Sequence, residues 1–229
     1  NGTAYHYKIF TRDTNANYSA TGVVPSGSPY TPAGPGCYSV ATGNWGSNLT
    51  WADSPGGTAG TCPGAGNVPD GSTPAYINFT ATSHTVTVDI TTAAATLVRI
   101  GTPGTGTAGL AMSSGTLDVG SSVTLVGGTG TKKALLSFTT GTLKVGGTIT
   151  ESGATDVTFG TGTVEYDGTG AQAVGTYGYY NLTINKSGGT ATTSGNITIG
   201  NNLTLTTGTL NIAANSIDRG AAGGTFTLG

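Results

Sequence analysis

The feature that most constrains this chain is a short motif that returns. Gly115-Thr-Leu-Asp-Val-Gly-Ser-Ser-Val123 comes back as Gly141-Thr-Leu-Lys-Val-Gly-Gly-Thr-Ile149, as Gly208-Thr-Leu-Asn-Ile212, and more loosely as Gly162-Thr-Val-Glu-Tyr166. Each copy alternates strictly between outward Thr or charge and inward Leu, Val, Ile or Tyr, the signature of a strand with one buried face. The flanking glycines mark turns. Gly115, Gly141 and Gly162 are spaced by roughly 20–26 residues, the period of stacked solenoid coils. A single short strand cannot cover its own apolar face, but a stack can, because each coil covers the next.

Composition agrees. Of 229 residues only 8% are charged, with formal net charge −2 and 41 Gly. Thr and Val suit strands and Gly suits turns, so the class is all-β. A charge balance this flat excludes the basic footprint of a nucleic-acid binder and a polybasic membrane-surface binder. No apolar run approaches the ~18 residues of a membrane span, so no membrane insertion is expected. The chain begins at Asn1 without Met and without a signal peptide, which reads as a processed product or a piece of something longer.

The two cysteines, Cys37 and Cys62, sit in the irregular segment before the repeats. A Cys37–Cys62 disulfide in an oxidising compartment is expected, closing a loop of about 25 residues and contributing roughly 3 kcal/mol through loop-closure entropy. Only His6 and His84 stand by as further soft ligands, without ligand spacing, so no metal and no cofactor is expected.

Read in order, the chain divides into 1–33, 34–75 and 76–229. In the first part, Ala4-Tyr-His-Tyr-Lys-Ile-Phe10 alternates, a polar loop follows at 12–17, and Tyr18 to Val24 forms a second strand before Pro25. The Asn1-Gly-Thr-Ala-Tyr5 opening, Asn17-Tyr-Ser19 and Val23-Val-Pro25 resemble the last two strands of a fibronectin type III domain. Such a hairpin alone would expose Tyr5, Tyr7, Ile9, Val23 and Val24, which invites pairing with another chain. The Asp13-Thr-Asn-Ala-Asn17 run begins like a calcium loop but lacks its Gly and distal Glu, so a plain polar loop is the expectation. Residues 25–36 are rich in Pro, Gly and Ser and read as a linker.

The second part carries Gly43-Asn-Trp45 and Thr50-Trp51, which resemble a lead-in found ahead of many bacterial surface β-helices; the resemblance implies a cap on the first coil. Sugar contact is the alternative for Trp45 and Trp51, since rings stack on sugar faces; for Tyr177, Tyr179 and Tyr180 the leading expectation is that they fill a wide corner of the stack, with sugar contact again the alternative. From Tyr76 strands come regularly. Gly162-Thr-Val-Glu-Tyr-Asp-Gly168, Tyr180-Asn-Leu-Thr-Ile184, Gly195-Asn-Ile-Thr-Ile199 and Gly208-Thr-Leu-Asn-Ile212 resemble a repeat of long secreted bacterial proteins built as right-handed parallel β-helices. The resemblance implies that fold for 76–229 and an extracellular, secreted or cell-surface location.

For function the sequence offers three readings. Glycosidic cleavage needs two facing carboxylates, and the ten carboxylates here do not cluster in sequence. Glu165 and Asp167 share one strand face, and a solvated face is the plain reading of Glu165. The leading expectation is therefore a non-catalytic surface stalk or filament subunit. A carbohydrate-binding or adhesive module contacting surface glycans comes second, and a polysaccharide-active enzyme third. Aligning the inward residues places Arg99, Asp118, Lys144 and Glu165 outward at equivalent positions, an expected charge ladder of alternating sign. Asn-x-Ser/Thr triplets at Asn48, Asn181, Asn196 and Asn202 arise readily in a Thr-rich strand protein. The last strand, Thr225 to Leu228, carries no visible cap, so head-to-tail self-association with the N-terminal strands is expected.

Overall fold

The computed structural model describes residues 35–78, 82–102, 106–220 and 223–229, and Pro35–Gly229 forms one compact unit. The two strands expected to resemble a fibronectin type III domain, the expected assembly residues Tyr5, Tyr7, Ile9, Val23 and Val24, and the polar loop expected at Asp13–Asn17 lie outside the described residues.

The fold is an all-β parallel solenoid. The lead-in contributes β1 (Cys37–Ser39), β2 (Gly43–Asn44) and β3 (Trp51–Ala52). Three regular coils follow: β4 (Ala75–Ile77), β5 (His84–Val88), β6 (Thr92–Ala95); β7 (Val98–Ile100), β8 (Ala108–Met112), β9 (Thr116–Val119); and β10 (Val123–Val126), β11 (Ala134–Phe138), β12 (Thr142–Val145). A fourth holds β13 (Ile149–Ser152), β14 (Thr155–Thr158) and β15 (Thr163–Tyr166). Then the coil changes outline: β16 (Gln172–Val174), β17 (Gly178–Tyr179), the long β18 (Asn181–Thr193), β19 (Ile197–Ile199), β20 (Leu203–Asn211), β21 (Ile217–Arg219) and β22 (Phe226–Leu228).

Strands of equal phase stack in parallel. The first sheet runs β13-β10-β7-β4-β1-β3, the second β14-β11-β8-β5-β2, and the third β22-β20-β18-β15-β12-β9-β6 with β16 beside β18. The first two sheets end at β13 and β14, and a separate sheet, β17-β19-β21, takes over beyond them. Among the described residues only the third sheet continues through the change, by Val164 opposite Leu182 and Tyr166 opposite Ile184. Repeat length shifts with the outline. Thr124 and Thr150 are 26 residues apart, Lys144 and Glu165 are 21 apart, and Thr163 and Asn181 only 18.

The alternation does what it predicts. Leu117, Leu143, Val164 and Leu182 stack inward in one file, with Val119, Val145, Tyr166 and Ile184 in the next, all fully buried. Each such side chain removed from water contributes about 1.5–3 kcal/mol. One copy of the motif departs from expectation. Thr209, Leu210 and Asn211 pair with Thr190, Ala191 and Thr192, a strip beside the Thr116–Thr142–Thr163 column rather than on it. Register shifts between Ile184 and Thr190 carry β18 across that boundary.

Within the lead-in, β1 and β2 are already part of the stack, since they pair in parallel with β4 and β5. The antiparallel β3 lies on the outer edge of β1 and closes that edge. The Cys37–Cys62 disulfide ties β1 to the loop after β3. Within that loop Asp70 accepts the N–H groups of Ala65 and Ser72 and the Ser72 hydroxyl. These bonds, the Ala65 N–H foremost, hold its carboxyl at about 2.

At the corners, turns stack backbone on backbone. A Cβ at Gly127 would stand 1.7 Å from the Ala154 carbonyl oxygen, whereas one at Gly178 meets nothing within 4 Å. Gly127→Ala should therefore lower stability by roughly 2 kcal/mol or more, while Gly178→Ala stays within about 0.5 kcal/mol of wild type. Urea unfolding of the two variants checks this, and equal stabilities would refute the backbone-contact account.

Candidate functional site on the third sheet

The outer face of the third sheet carries the densest polar chemistry among the described residues. One file reads Thr92, Thr116, Thr142, Thr163, Asn181, and the next Ala94, Asp118, Lys144, Glu165, Thr183. Lys144 Nζ lies 3.2 Å from Glu165 Oε1, which also accepts Asn185 Nδ2–H at 2.8 Å. The Glu165 side chain is only 12% exposed, so it is clasped between coils and not a solvated strand face. Burial alone would lower the Lys144 pKa, but Glu165, Asp167 and Asp118 hold it above the ordinary value. Asp167 is raised, first by burial and then by Asp118 and Glu165, with Lys144 opposing.

Three of the four expected ladder residues thus stand in one file. Arg99 does not. It lies on β7 in the first sheet, between Tyr76 and Thr124. Alternation reports whether a side chain points in or out, but three strands in every coil share that pattern, so it does not report which sheet a residue belongs to.

Beside the ladder is a group that sequence reasoning missed. Lys186 follows Leu182 and Ile184 at the next inward position of β18 and is buried. Its Nζ donates to Gly168 O at 2.5 Å, Gly170 O at 2.8 Å and Gln172 Oε1 at 2.5 Å. Gln172, also buried, accepts the Gly168 N–H at 3.0 Å on the same oxygen, and its Nε2 donates to Val145 O and Gly147 O at 2.7 and 2.8 Å. Burial pushes the lysine below its usual pKa, with Asp167 opposing. The available signal was the continued alternation; the Lys-Ser-Gly-Gly composition, typical of a turn, obscured it.

The aromatic candidates are mostly interior. Trp45 and Trp51 are both fully buried, edge to face at 5.2 Å, with Trp51 Nε1 donating to Trp45 O. A buried ring offers no face to a sugar, so neither is a sugar contact. Tyr179 is likewise buried, stacked on Phe159 at 5.3 Å and hydrogen-bonded at its hydroxyl to Gly175 O and Tyr166. Tyr177 is half-buried against the same two rings, and Tyr180 is exposed. These rings fill the corner where the coil changes outline.

In the second sheet His84 is buried, its Nε2 2.7 Å from Ser39 Oγ, which accepts the Asn78 N–H. Burial lowers its pKa, against a hydrogen bond to Ser39. Among the described residues no group of three or more His, Cys, Asp or Glu is placed to hold a metal ion, and no helix is long and apolar enough to cross a membrane. Compared with known protein families, curated proteins and solved structures, the chain matches none.

Two predictions follow from this geometry. Lys144→Met and Glu165→Gln should couple in a double-mutant cycle by about 0.5–1 kcal/mol, diminished by salt; zero coupling at low ionic strength would mean the pair contributes nothing. His84 is neutral when folded, and the unfolded imidazole takes its proton near the ordinary 6.5. Its contribution is then complete above about pH 7 and falls as pH drops through 6.5 toward the lower folded value, by at most about 1.4 kcal/mol per pH unit. Urea midpoints of wild type and His84→Gln between pH 8 and pH 5 should diverge by this slope, and parallel curves would refute it.

Proposed function

We propose that this chain is a non-catalytic structural segment of a bacterial surface protein, working outside the cell as a stalk or filament subunit. The observation that carries the reading is how outward polar groups are used: they bond along the stack. Thr150 Oγ1 donates to Thr124 Oγ1 at 3.2 Å, Asn201 Nδ2 to Asn181 Oδ1 at 2.9 Å, Thr207 Oγ1 to Asn185 Oδ1 at 3.1 Å, and Thr225 Oγ1 to Asn202 Oδ1 at 3.1 Å. Each joins one coil to its neighbour. An enzyme on this scaffold needs an acid and a base converging on a bond, whereas these groups converge on one another. Glu165, held by Lys144 and Asn185, follows the same pattern.

Self-association belongs to the same proposal. Phe226 and Leu228 stand exposed at positions in register with Leu203 and Leu205, and a neighbouring coil would cover them. Residues 1–24 of a second copy are the proposed partner strands.

Single-molecule pulling of the full chain tests the mechanical reading. Extension should proceed in steps of one coil, 18 to 26 residues, or roughly 60–90 Å at about 3.3–3.6 Å per residue. A featureless extension at the lowest measurable force overturns the load-bearing role, and release of new sugar ends from a polysaccharide panel overturns the non-catalytic one. Removing residues 1–24 should abolish fibres in electron micrographs while the circular dichroism of the solenoid is kept; unchanged fibres would reject them as the partner strands.

A further inference from the structure

His84 stands where the lead-in meets the first coil. It opens β5, and the Ser39 hydroxyl at the end of β1 lies 2.7 Å from its Nε2. Ser39 Oγ also accepts the Asn78 N–H at 2.8 Å. Asn78 Nδ2 in turn donates to Thr107 O, the carbonyl that takes the His84 N–H. Ser39, Asn78 and His84 are all buried. One lead-in side chain is thus bonded to β5 and to the residue that follows β4.

The backbone ladders at this joint are short. β1 pairs with β4 only at Cys37–Ala75 and Tyr38–Tyr76, and β2 with β5 only at Gly43–Val86 and Asn44–Thr87. By contrast β5 pairs with β8 from His84–Ala108 to Val88–Met112. β3 pairs with β1, and the Cys37–Cys62 disulfide closes within the lead-in and its loop. Further bonds across the joint run from the Thr85 N–H to Thr42 Oγ1, the Trp45 N–H to Thr87 O and the Gly46 N–H to Asp89 Oδ1.

The elements around the imidazole are almost free of charge. β1, β2 and β4 carry no ionisable side chain except Tyr38 and Tyr76, and β8, opposite His84 through Ala108, carries none. Tyr38 points to the face opposite Ser39, since neighbouring strand residues alternate. Residues 79–83, Phe-Thr-Ala-Thr-Ser, add none. The charged groups on adjoining segments are Asp89, just past the far end of β5, and Lys132 and Lys133, before β11. Lys133 pairs with Asp156. At pH 8 the ring is neutral, as a solvated imidazole would be. Whichever nitrogen holds its proton, a second proton places a buried charge among neutral groups, which is costly. Burial outweighs the opposing hydrogen bond to Ser39 and keeps the ring a poorer base than a solvated one.

We propose that His84 is an acid-sensitive latch: its protonation frees the lead-in from the first coil while the coils behind it stay folded. The released imidazole binds a proton more tightly than the closed one, so release gains as pH falls through about 6.5 and stops gaining below the closed state's lower value. Once released, Ser39 and Asn78 bond to water. β4 and β5 lose their strand neighbours, and their bare edges invite pairing with another chain.

Trp45 and Trp51 are the chain's 2 tryptophans, and both are buried in the lead-in. Indole emission therefore reports the joint, and far-ultraviolet circular dichroism reports the sheets. In urea titrations of the full chain at pH 8 the two transitions should coincide. At pH 5 the indole transition should move to lower urea and precede the loss of the sheets. In His84→Gln the two should coincide at both pH values. If that variant does not fold, the wild-type imidazole titration followed by NMR, with His6→Gln to assign the His84 resonance, should share its midpoint with the pH-driven indole shift. Coincident wild-type transitions at pH 5, a separation equally present at pH 8, or one retained in His84→Gln overturns the latch, as do unequal midpoints.

Discussion

The parallel backbone ladder of the third sheet is the contact on which the rest of the stack depends. The first two sheets run only as far as β13 and β14, and β17-β19-β21 begins anew. The third sheet crosses that break through β15 and β18. Parallel pairing leaves no freedom in that file, because a slip of one residue would turn Leu182 and Ile184 outward and Asn181 and Thr183 inward. The cores before and after the break are therefore held in one register by four paired residues per strand.

A change of outline in a solenoid leaves space and unpaired groups that must be filled. Here the filling is partly aromatic and partly polar. Phe138, Phe159, Tyr177 and Tyr179 pack ring against ring at 5.3 to 5.9 Å. Tyr166 and Tyr179 place their hydroxyls 3.1 Å apart and bond the backbone of Gly175. Gln172 and Lys186 take up the carbonyls of Val145, Gly147, Gly168 and Gly170. Buried carbonyls left without donors would each cost on the order of 1–3 kcal/mol, which gives a physical reason for a lysine at an inward position.

The surface follows the same economy. Thr and Asn side chains bond to the coil above or below, and the Asp118–Lys144–Glu165 file sets opposite charges side by side. Each contact is small, about 0.5–1 kcal/mol for the Lys144–Glu165 pair, in which only the lysine is substantially open to solvent. Their combined effect is on register, since a shifted coil would bring like charges or mismatched amides together.

Much of this was legible in the chain itself. Strict alternation in the Gly-Thr-Leu-x-Val copies and their spacing determined strands, coils and the inward files Leu117–Leu143–Val164, because a period-two pattern and a stackable repeat have few other physical solutions. Where each strand would lie around the coil was not in the local pattern. Arg99 obeys the same alternation as Asp118 yet belongs to another sheet, and Thr209–Asn211 repeats the motif yet lies in the strip beside its column. The indoles of Trp45 and Trp51 looked the same from sequence whether inside or out, and Lys186 stands in a Lys-Ser-Gly-Gly run whose composition suits a turn. Only the tertiary structure decided these, because coil phase depends on the lengths of all the intervening turns, and burial on what those turns bring overhead.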